Sequence, residues 1–114
     1  MSERHILLVL SNPVADKTDA EFNDWYDNVH LSEVLAVPGF VAAQRYAISP
    51  EQMADPAGAS HRYVAIYEVE GGATEALEAL GKATANGMDM GTTLNFETVS
   101  AWLYTPNGPR QVEL

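Results

Sequence analysis

The hydrophobic and polar positions of the chain fall into six blocks, each with the period of one secondary-structure element. The first block is a short apolar run that stops at an Asn-Pro pair, as a central strand stops at a turn. Three later blocks alternate between the two faces of an extended chain, which is typical of strands. The predicted strands are residues 5–11, 40–48, 61–69 and 95–104.

A helix is predicted between the first two strands. Thr18 and Glu21 fit a capping box, in which each side chain accepts a hydrogen bond from the other residue's backbone N–H. After this start, apolar residues recur with the spacing of one helical face. They are Phe22, Trp25, Tyr26 and Val29. We expect the helix to loosen near Leu31, where Ser32 can cap a further short turn, and to end before the Pro-Gly pair at 38–39.

A second helix is predicted at residues 73–85, which are mostly good helix formers. The order strand, helix, strand, strand, helix, strand is that of a split βαββαβ, ferredoxin-like domain of the α+β class. Such a domain packs both helices on one face of a four-stranded antiparallel sheet. The predicted strands carry apolar residues on both faces, so we expect the uncovered face to pack against a second copy in a symmetric homodimer.

Length and charge narrow the possible partners. A chain of 114 residues is expected to form one domain over residues 1–114, with a loosely ordered tail at 105–114. Six basic and sixteen acidic residues give a net charge of −10, which argues against nucleic acid and anionic membranes as partners.

Cysteine is absent, so thiolate chemistry is excluded. Since no apolar run approaches the ~20 residues of a membrane span, the expected location is the cytoplasm.

The first helix holds the strongest candidate for proton chemistry, His30. It follows Tyr26 by four residues, so its imidazole is expected at the edge of the aromatic face. Histidine can both accept and release a proton near neutral pH, and Glu33 could fix its tautomer by a hydrogen bond. The alternative is a structural histidine that caps the helix end. Asp24 and Asp27 are expected on the solvated back of this helix.

The aromatic residues of the helix have two interpretations. Tyr26 could donate a hydrogen bond to a ligand oxygen, and Trp25 and Phe22 could form the wall of a cavity. Plain core packing is the alternative for all of them. The strand tyrosines face either the cavity or the dimer interface, and Tyr67 is our candidate among them for contact with a substrate.

Two polar residues outside the helix are further candidates for substrate binding. The side-chain amide of Asn12 could hold a ligand carbonyl at the end of the first strand, although we favour an Asx turn before Pro13. Arg45 shares a strand face with apolar residues and needs an anion if it is buried. That anion could be a structural carboxylate, such as Glu68 or Glu97, or an anionic group of the ligand.

Several common sites are not indicated by the sequence. His30 and Glu33 form one possible metal-ligating pair, but no second histidine cluster completes a shell. Neither a Gly-rich phosphate loop nor a Gly-x-Ser-x-Gly nucleophile elbow is present. We therefore expect no metal and no nucleotide cofactor. The loop at 88–93, rich in Gly and Met, could be a lid over an apolar ligand.

Four segments together resemble a known family. They are Asn12-Pro13, the block from Glu21 through Trp25-Tyr26 to Val29-His30-Leu31, Pro38-Gly39-Phe40, and Gln44-Arg45-Tyr46. These segments resemble the EthD-like branch of the dimeric α/β-barrel superfamily. The resemblance implies a ferredoxin-like protomer, a barrel formed by two sheets, and a small-molecule cavity in which the proton-carrying histidine is His30. Haem-binding branches place a histidine on the second helix, and residues 73–86 contain none.

The first functional hypothesis is a cofactor-independent enzyme acting on an aromatic or apolar metabolite that carries a carbonyl or hydroxyl group. His30 would be the general acid or base, and Tyr26 or Asn12 would polarise an oxygen. Proton abstraction beside a carbonyl would account for isomerase, cyclase, dehydratase and lyase reactions alike. The alternatives are a cofactor-free monooxygenase of a phenol and a non-catalytic module that binds an apolar metabolite.

Overall fold

Each strand of the sheet forms at one of the blocks with alternating or continuous apolar residues. The structure is a computed structural model, and it describes residues 4–114. The strands are β1 (Arg4–Ser11), β2 (Phe40–Ala47), β3 (Tyr63–Glu70) and β4 (Ser100–Tyr104). They form one antiparallel sheet in the order β2-β3-β1-β4. With the helices placed between β1 and β2 and between β3 and β4, this is the predicted ferredoxin-like α+β fold.

The first helical segment is one continuous unit over residues 19–35. It consists of α1 (Asp19–Trp25), a π-helical segment (Tyr26–His30) and α2 (Leu31–Leu35). Thr18 and Glu21 form the predicted capping box, with bonds of 3.1 Å from the Glu21 N–H to Thr18 Oγ1 and 3.0 Å from the Thr18 N–H to Glu21 Oε2.

The helix loosens next to Leu31 as predicted, but the further short turn that Ser32 was expected to cap is wrong. The Leu31 N–H donates to the Tyr26 carbonyl, which is the five-residue spacing of a π-helix, so the chain widens there without breaking. The Ser32 hydroxyl donates to the Val29 carbonyl at 3.0 Å and caps no new helix.

The second long helix, α3 (Ala73–Ala85), begins and ends as predicted. Asn86 is its C-cap, and Gly87 follows with a φ of +103°, a conformation that glycine adopts without steric cost. None of the helices formed by residues 4–114 has the length and apolar character needed to cross a membrane.

The last strand is shorter than predicted. Residues 95–98 form a turn in which the N–H groups of Thr98 and Val99 donate to the Asn95 carbonyl. The Asn95 N–H donates to the Asn12 carbonyl, which ties this turn to the end of β1. The alternating pattern therefore also includes the residues just before β4, whose backbone hydrogen bonds belong to a turn.

The helix-facing side of the sheet is the hydrophobic core. The residues of β3 on this side are buried: Tyr63, Ala65, Tyr67 and Val69. Phe40 joins them, although strict alternation predicted it on the side of Ala42. A β-bulge between Phe40 and Ala42 adds one residue to β2 and turns Phe40 toward the helices.

The opposite side of the sheet is also apolar and no helix covers it. Its side chains include Ile6, Leu8, Leu10, Val64, Ile66, Tyr46, Trp102 and Tyr104. Trp102 is 63% exposed, and Tyr46 and Tyr104 are about half exposed. A contiguous apolar surface of this kind is typical of a protein interface. The homodimer through the sheet faces stays a prediction.

Replacing Trp102 with Glu tests this interface. We expect the wild-type chain to sediment with the mass of two chains and Trp102→Glu with the mass of one, because a carboxylate would be buried within the predicted contact. Met53→Glu is the matched control, since Met53 is fully exposed and lies in the loop after β2. A wild-type chain that stays single at high concentration would contradict the predicted homodimer.

Candidate functional site

A cavity of about 330 Å³ lies between the helices and the sheet. Its floor includes Leu7 and Val9 of β1 and Ala101 of β4, and α3 forms one wall. Most of the lining is apolar. The polar lining groups are Tyr26, His30, Tyr67 and Thr84. An apolar cavity with a few convergent polar groups has the usual character of a small-molecule site.

The π-helical segment places two of these polar residues side by side. Tyr26 begins the segment and His30 ends it. Their rings meet edge to face, with centroids 5.0 Å apart, and both residues are more than 90% buried. Single π-helical turns occur frequently at functional sites, where they re-aim side chains that a regular α-helix would direct elsewhere.

The imidazole of His30 is held between aromatic rings. It stacks on Trp25 with a centroid distance of 4.7 Å and an interplanar angle of 20°. Its Nδ1 atom is buried and has no hydrogen-bond partner within residues 4–114. Burial lowers the pKa of His30 below its ordinary value, and the carboxylates of Glu33 and Asp89 oppose this effect only in part. At neutral pH the ring is therefore uncharged and able to accept a proton.

Glu33 does not hold His30, contrary to our expectation. Its Oε2 atom accepts a hydrogen bond of 2.9 Å from the backbone N–H of Asp89. Asp89 lies in the loop after α3, whose Met88 and Met90 line the cavity. Glu33 therefore joins this loop to α2. Because two methionines of the loop line the cavity, the loop lies in the position predicted for a lid.

Two phenols share the cavity with His30. Burial raises the pKa of both Tyr26 and Tyr67, so both remain protonated and can donate hydrogen bonds. For Tyr26, the nearby Tyr67 hydroxyl and the Arg45 guanidinium lower the pKa by less than burial raises it. The buried Tyr67 hydroxyl lies near that of Tyr26 but makes no hydrogen bond of standard geometry with any described residue. A buried hydroxyl of this kind costs free energy until another group, such as a ligand oxygen, pairs with it.

Phe22 and Trp25 lie one layer behind the cavity wall. Phe22 is fully buried and packs edge to face on Tyr26, with a centroid distance of 5.5 Å. Trp25 backs the His30 ring and is in turn covered by Gly91. The structure thus places these two predicted substrate-binding residues in contact with lining residues, while neither lines the cavity itself.

Arg45 also lies outside the cavity, and it pairs with a structural carboxylate as predicted, although neither Glu68 nor Glu97 is that partner. Its guanidinium bonds to Asp27 Oδ1 at 2.8 Å and to Asn23 Oδ1 at 2.9 Å. Glu68 is on the opposite side of the sheet, where it pairs with Arg4. Asp27 was expected on the solvated side of the helix. Its carboxylate is half exposed, but it also bonds to Arg45 of β2.

Asn12 has a structural position at the end of β1. Its amide donates to the Ser60 carbonyl at 3.0 Å and accepts from the Arg62 N–H at 2.9 Å. The favoured Asx turn is absent, because the Val14 N–H donates to the Thr93 carbonyl instead. Both polar ends of the amide are thus used in joining β1 to the start of β3.

The sequence reasoning missed the wall that α3 contributes. Leu77, Leu80 and Thr84 line the cavity from this helix. Their i, i+3, i+7 spacing marks one helical face, and it could have assigned Thr84 to the same side as the two leucines. Leu94, Phe96 and Val99 also line the cavity, but the alternating pattern assigned Phe96 and Val99 to a strand, whereas their backbone is irregular.

Metal-ligand geometry is not found in the described part of the chain. No three His, Asp or Glu side chains of residues 4–114 come close enough together to hold an ion.

Comparison with known proteins identifies relatives by structure. No protein-family model and no curated protein matches this sequence. A protein from Shewanella loihica PV-4, provisionally described as a monooxygenase, has a similar crystal structure, with a TM-score of 0.56 and 19% identity over 100% of this chain and 99% of that one. An ethyl tert-butyl ether D (EthD) family protein from Bacillus halodurans C-125 has a TM-score of 0.59 and 11% identity over 97% of this chain and 100% of that one.

The two relatives confirm the predicted resemblance at the level of the fold. Both similarities extend over nearly the whole length of each chain, so the shared ferredoxin-like architecture is not limited to one motif. At these identities the likeness concerns the fold and leaves the chemistry of the cavity to be argued from its own residues.

Replacing Gly91 tests the support behind His30. A Cβ at Gly91, where φ is +64°, would lie 2.5 Å from Trp25 Nε1. We expect Gly91→Ala to displace the indole, to change its fluorescence in a Trp102→Phe background, and to destabilise the fold by about 1–3 kcal/mol.

Gly87→Ala is the control, because Gly87 also has a positive φ but its Cβ would meet nothing within 4 Å. It should leave the Trp25 emission unchanged. An unchanged emission in Gly91→Ala would contradict the close packing of the loop on Trp25.

The pH dependence of stability tests the burial of His30. Because its pKa is lower in the folded than in the unfolded chain, the unfolded chain binds more protons as the pH falls below about 6.5. The free energy of unfolding should therefore decrease from about pH 7 toward pH 5. His30→Gln should reduce this decrease. Equal pH profiles for wild type and His30→Gln would contradict the buried, neutral imidazole.

Proposed function

We propose that this protein is a small-molecule enzyme that moves a proton to and from a largely apolar substrate without a cofactor. His30 is the general base and acid, and the hydroxyls of Tyr26 and Tyr67 hold an oxygen of the substrate. One observation carries the proposal: an uncharged imidazole with an unpaired Nδ1 is buried at an apolar cavity beside two protonated phenols.

The lining of the cavity indicates the class of substrate. None of the lining side chains contributed by residues 4–114 is a lysine, arginine, aspartate or glutamate. A carboxylate or phosphate would lose its hydration there without gaining a cation, so a neutral molecule is favoured. The volume of about 330 Å³ is at the small end of ligand pockets and suits a compact ring system.

The proposed reaction is proton abstraction next to a carbonyl group. A substrate carbonyl that accepts a hydrogen bond from Tyr67 gains a donor for the negative charge that develops on its oxygen. His30 takes the proton from the neighbouring carbon and returns it to the same or another position. Removal of water from the apolar cavity strengthens both interactions. Isomerase, cyclase, dehydratase and lyase reactions all contain such a step.

A second candidate, cofactor-free oxygenation of a phenol, is favoured by the description of the Shewanella loihica relative as a provisional monooxygenase. In that reaction His30 would remove the phenolic proton, and the resulting phenolate would react with molecular oxygen. Oxygen uptake with 1-naphthol distinguishes this reaction from proton abstraction at carbon, which consumes none.

The proposal is tested by deuterium exchange into a neutral aryl ketone. 1-Tetralone in D₂O exchanges the protons beside its carbonyl, and NMR measures the rate with and without the protein. We expect wild type to accelerate the exchange and His30→Gln to lose about 10²- to 10⁴-fold of that acceleration, the range for general acid–base groups.

His61→Gln is the matched control. Both nitrogens of His61 are bonded outside the cavity, Nδ1 to Ser60 Oγ at 2.8 Å and Nε2 to the Thr98 carbonyl at 2.7 Å. This variant should retain the wild-type rate. Exchange at equal rates in wild type and His30→Gln would contradict the proposed role of His30, and ketone that binds with no exchange would favour a binding module.

A further inference from the structure

Arg45 is a buried cation that neither the cavity nor an ordinary surface ion pair explains. Its side chain is only 10% exposed, and it belongs to β2, where it contacts the first helical segment. The guanidinium carbon lies 4.3 Å from the centroid of the Tyr26 ring. Tyr26 lines the cavity and Arg45 does not. The aromatic ring therefore stands between this charge and the site.

The guanidinium is held in place from several directions. Asp27 and Asn23 accept hydrogen bonds from its two terminal nitrogens, and the rings of Phe22 and Tyr63 lie within 5.4 Å of its carbon. Asp27 is 54% exposed, so water screens the charge that it offers. The Nε atom is buried with no partner in the described chain. The positive charge of Arg45 is thus held close to the face of the Tyr26 ring.

We propose that Arg45 is a positioning residue for the cavity, which fixes the Tyr26 ring and makes its hydroxyl a stronger hydrogen-bond donor toward a ligand oxygen. A cation over the face of an aromatic ring is attracted by the negative quadrupole of that face. The same positive charge stabilises the phenolate relative to the phenol, and a more acidic hydroxyl donates a stronger hydrogen bond.

The groups around Tyr26 act on its acidity in opposite directions. Burial is the largest effect and raises the pKa of the phenol, while Arg45 and the nearby Tyr67 hydroxyl lower it. His30 contacts the ring edge and is uncharged near neutral pH. Asp27, behind Arg45, weakens the effect of the cation. Among residues 4–114, Arg45 is therefore the charged group placed to offset the burial of this phenol. The inference rests on the proposed function only for the identity of the group that accepts the hydrogen bond.

The test is a fluorine NMR titration of 3-fluorotyrosine incorporated at position 26. Fluorine lowers the pKa of a phenol, which brings its ionisation closer to the pH range where proteins stay folded. In Arg45→Met we expect the acidity constant to fall about tenfold, because an opposite charge at this distance is worth about one pKa unit or more. Arg45→Lys should recover part of the difference, since lysine keeps the charge but not the planar fork.

Asp27→Asn provides the opposite change. It removes the counter-charge and leaves Arg45 in place, so the fluorophenol should become more acidic. A purely structural role for the Asp27–Arg45 pair predicts no such increase, and Asp27→Asn decides the question even if Arg45→Met unfolds. Arg62→Met is the control for loss of a cation, because Arg62 pairs with Asp19 and makes no contact with Tyr26.

Two outcomes overturn the proposal: an acidity constant unchanged in a folded Arg45→Met variant, or one that fails to rise in Asp27→Asn. The titration uses no substrate. A failure of the ketone exchange experiment would therefore leave this inference standing, and a failure of the titration would leave the role of His30 untouched.

Discussion

The widening of the helix between Tyr26 and Leu31 is the constraint on which the site depends. In a regular α-helix the Leu31 N–H would donate to Asp27, whereas here it donates to the Tyr26 carbonyl. The extra residue in this turn changes the direction of the following side chains. Tyr26 and His30 share one face in either kind of helix and meet at the cavity, while Asp27 reaches Arg45 on β2. The widened turn thus carries the acid–base groups on one side and their charged support on the other.

The buried polar atoms left without partners are concentrated around this same region. They include His30 Nδ1, Trp25 Nε1, Tyr67 Oη and Thr93 Oγ1. Each such atom costs free energy comparable to a lost hydrogen bond, so a core selected for stability alone would avoid them. The surrounding apolar contacts, among them the fully buried Phe22 and Val69, offset this cost. Local violations of the packing rules are expected at sites that bind or react.

The fold could be predicted from the sequence because its signals are local and repeated. The capping box at Thr18, the period-two strands and the composition of α3 each act over a few residues, and together they allow few topologies. The site was predicted less completely. His30 and Tyr26 were found because helical spacing links them, but the partners of Arg45 and Glu33 depend on a π-helical turn and on a loop far along the chain. Neither the π-helical turn nor the loop produces a periodic pattern of apolar residues in the sequence. The position of Phe40 shows the same limit, since one bulge residue reverses the face that alternation assigns.

Small residues explain why the space between α3 and the sheet stays open. Gly81 on α3 and Ala101 on β4 are exposed residues that line the cavity, and a Cβ at Gly81 would meet no atom within 4 Å. Larger side chains at these positions would narrow the opening of the cavity. The neighbouring residues of the same strands, Leu8 and Trp102, point to the uncovered side of the sheet. The strands therefore separate two functions by alternation alone: one face leaves room for a ligand, and the other offers the continuous apolar surface that a second copy would cover.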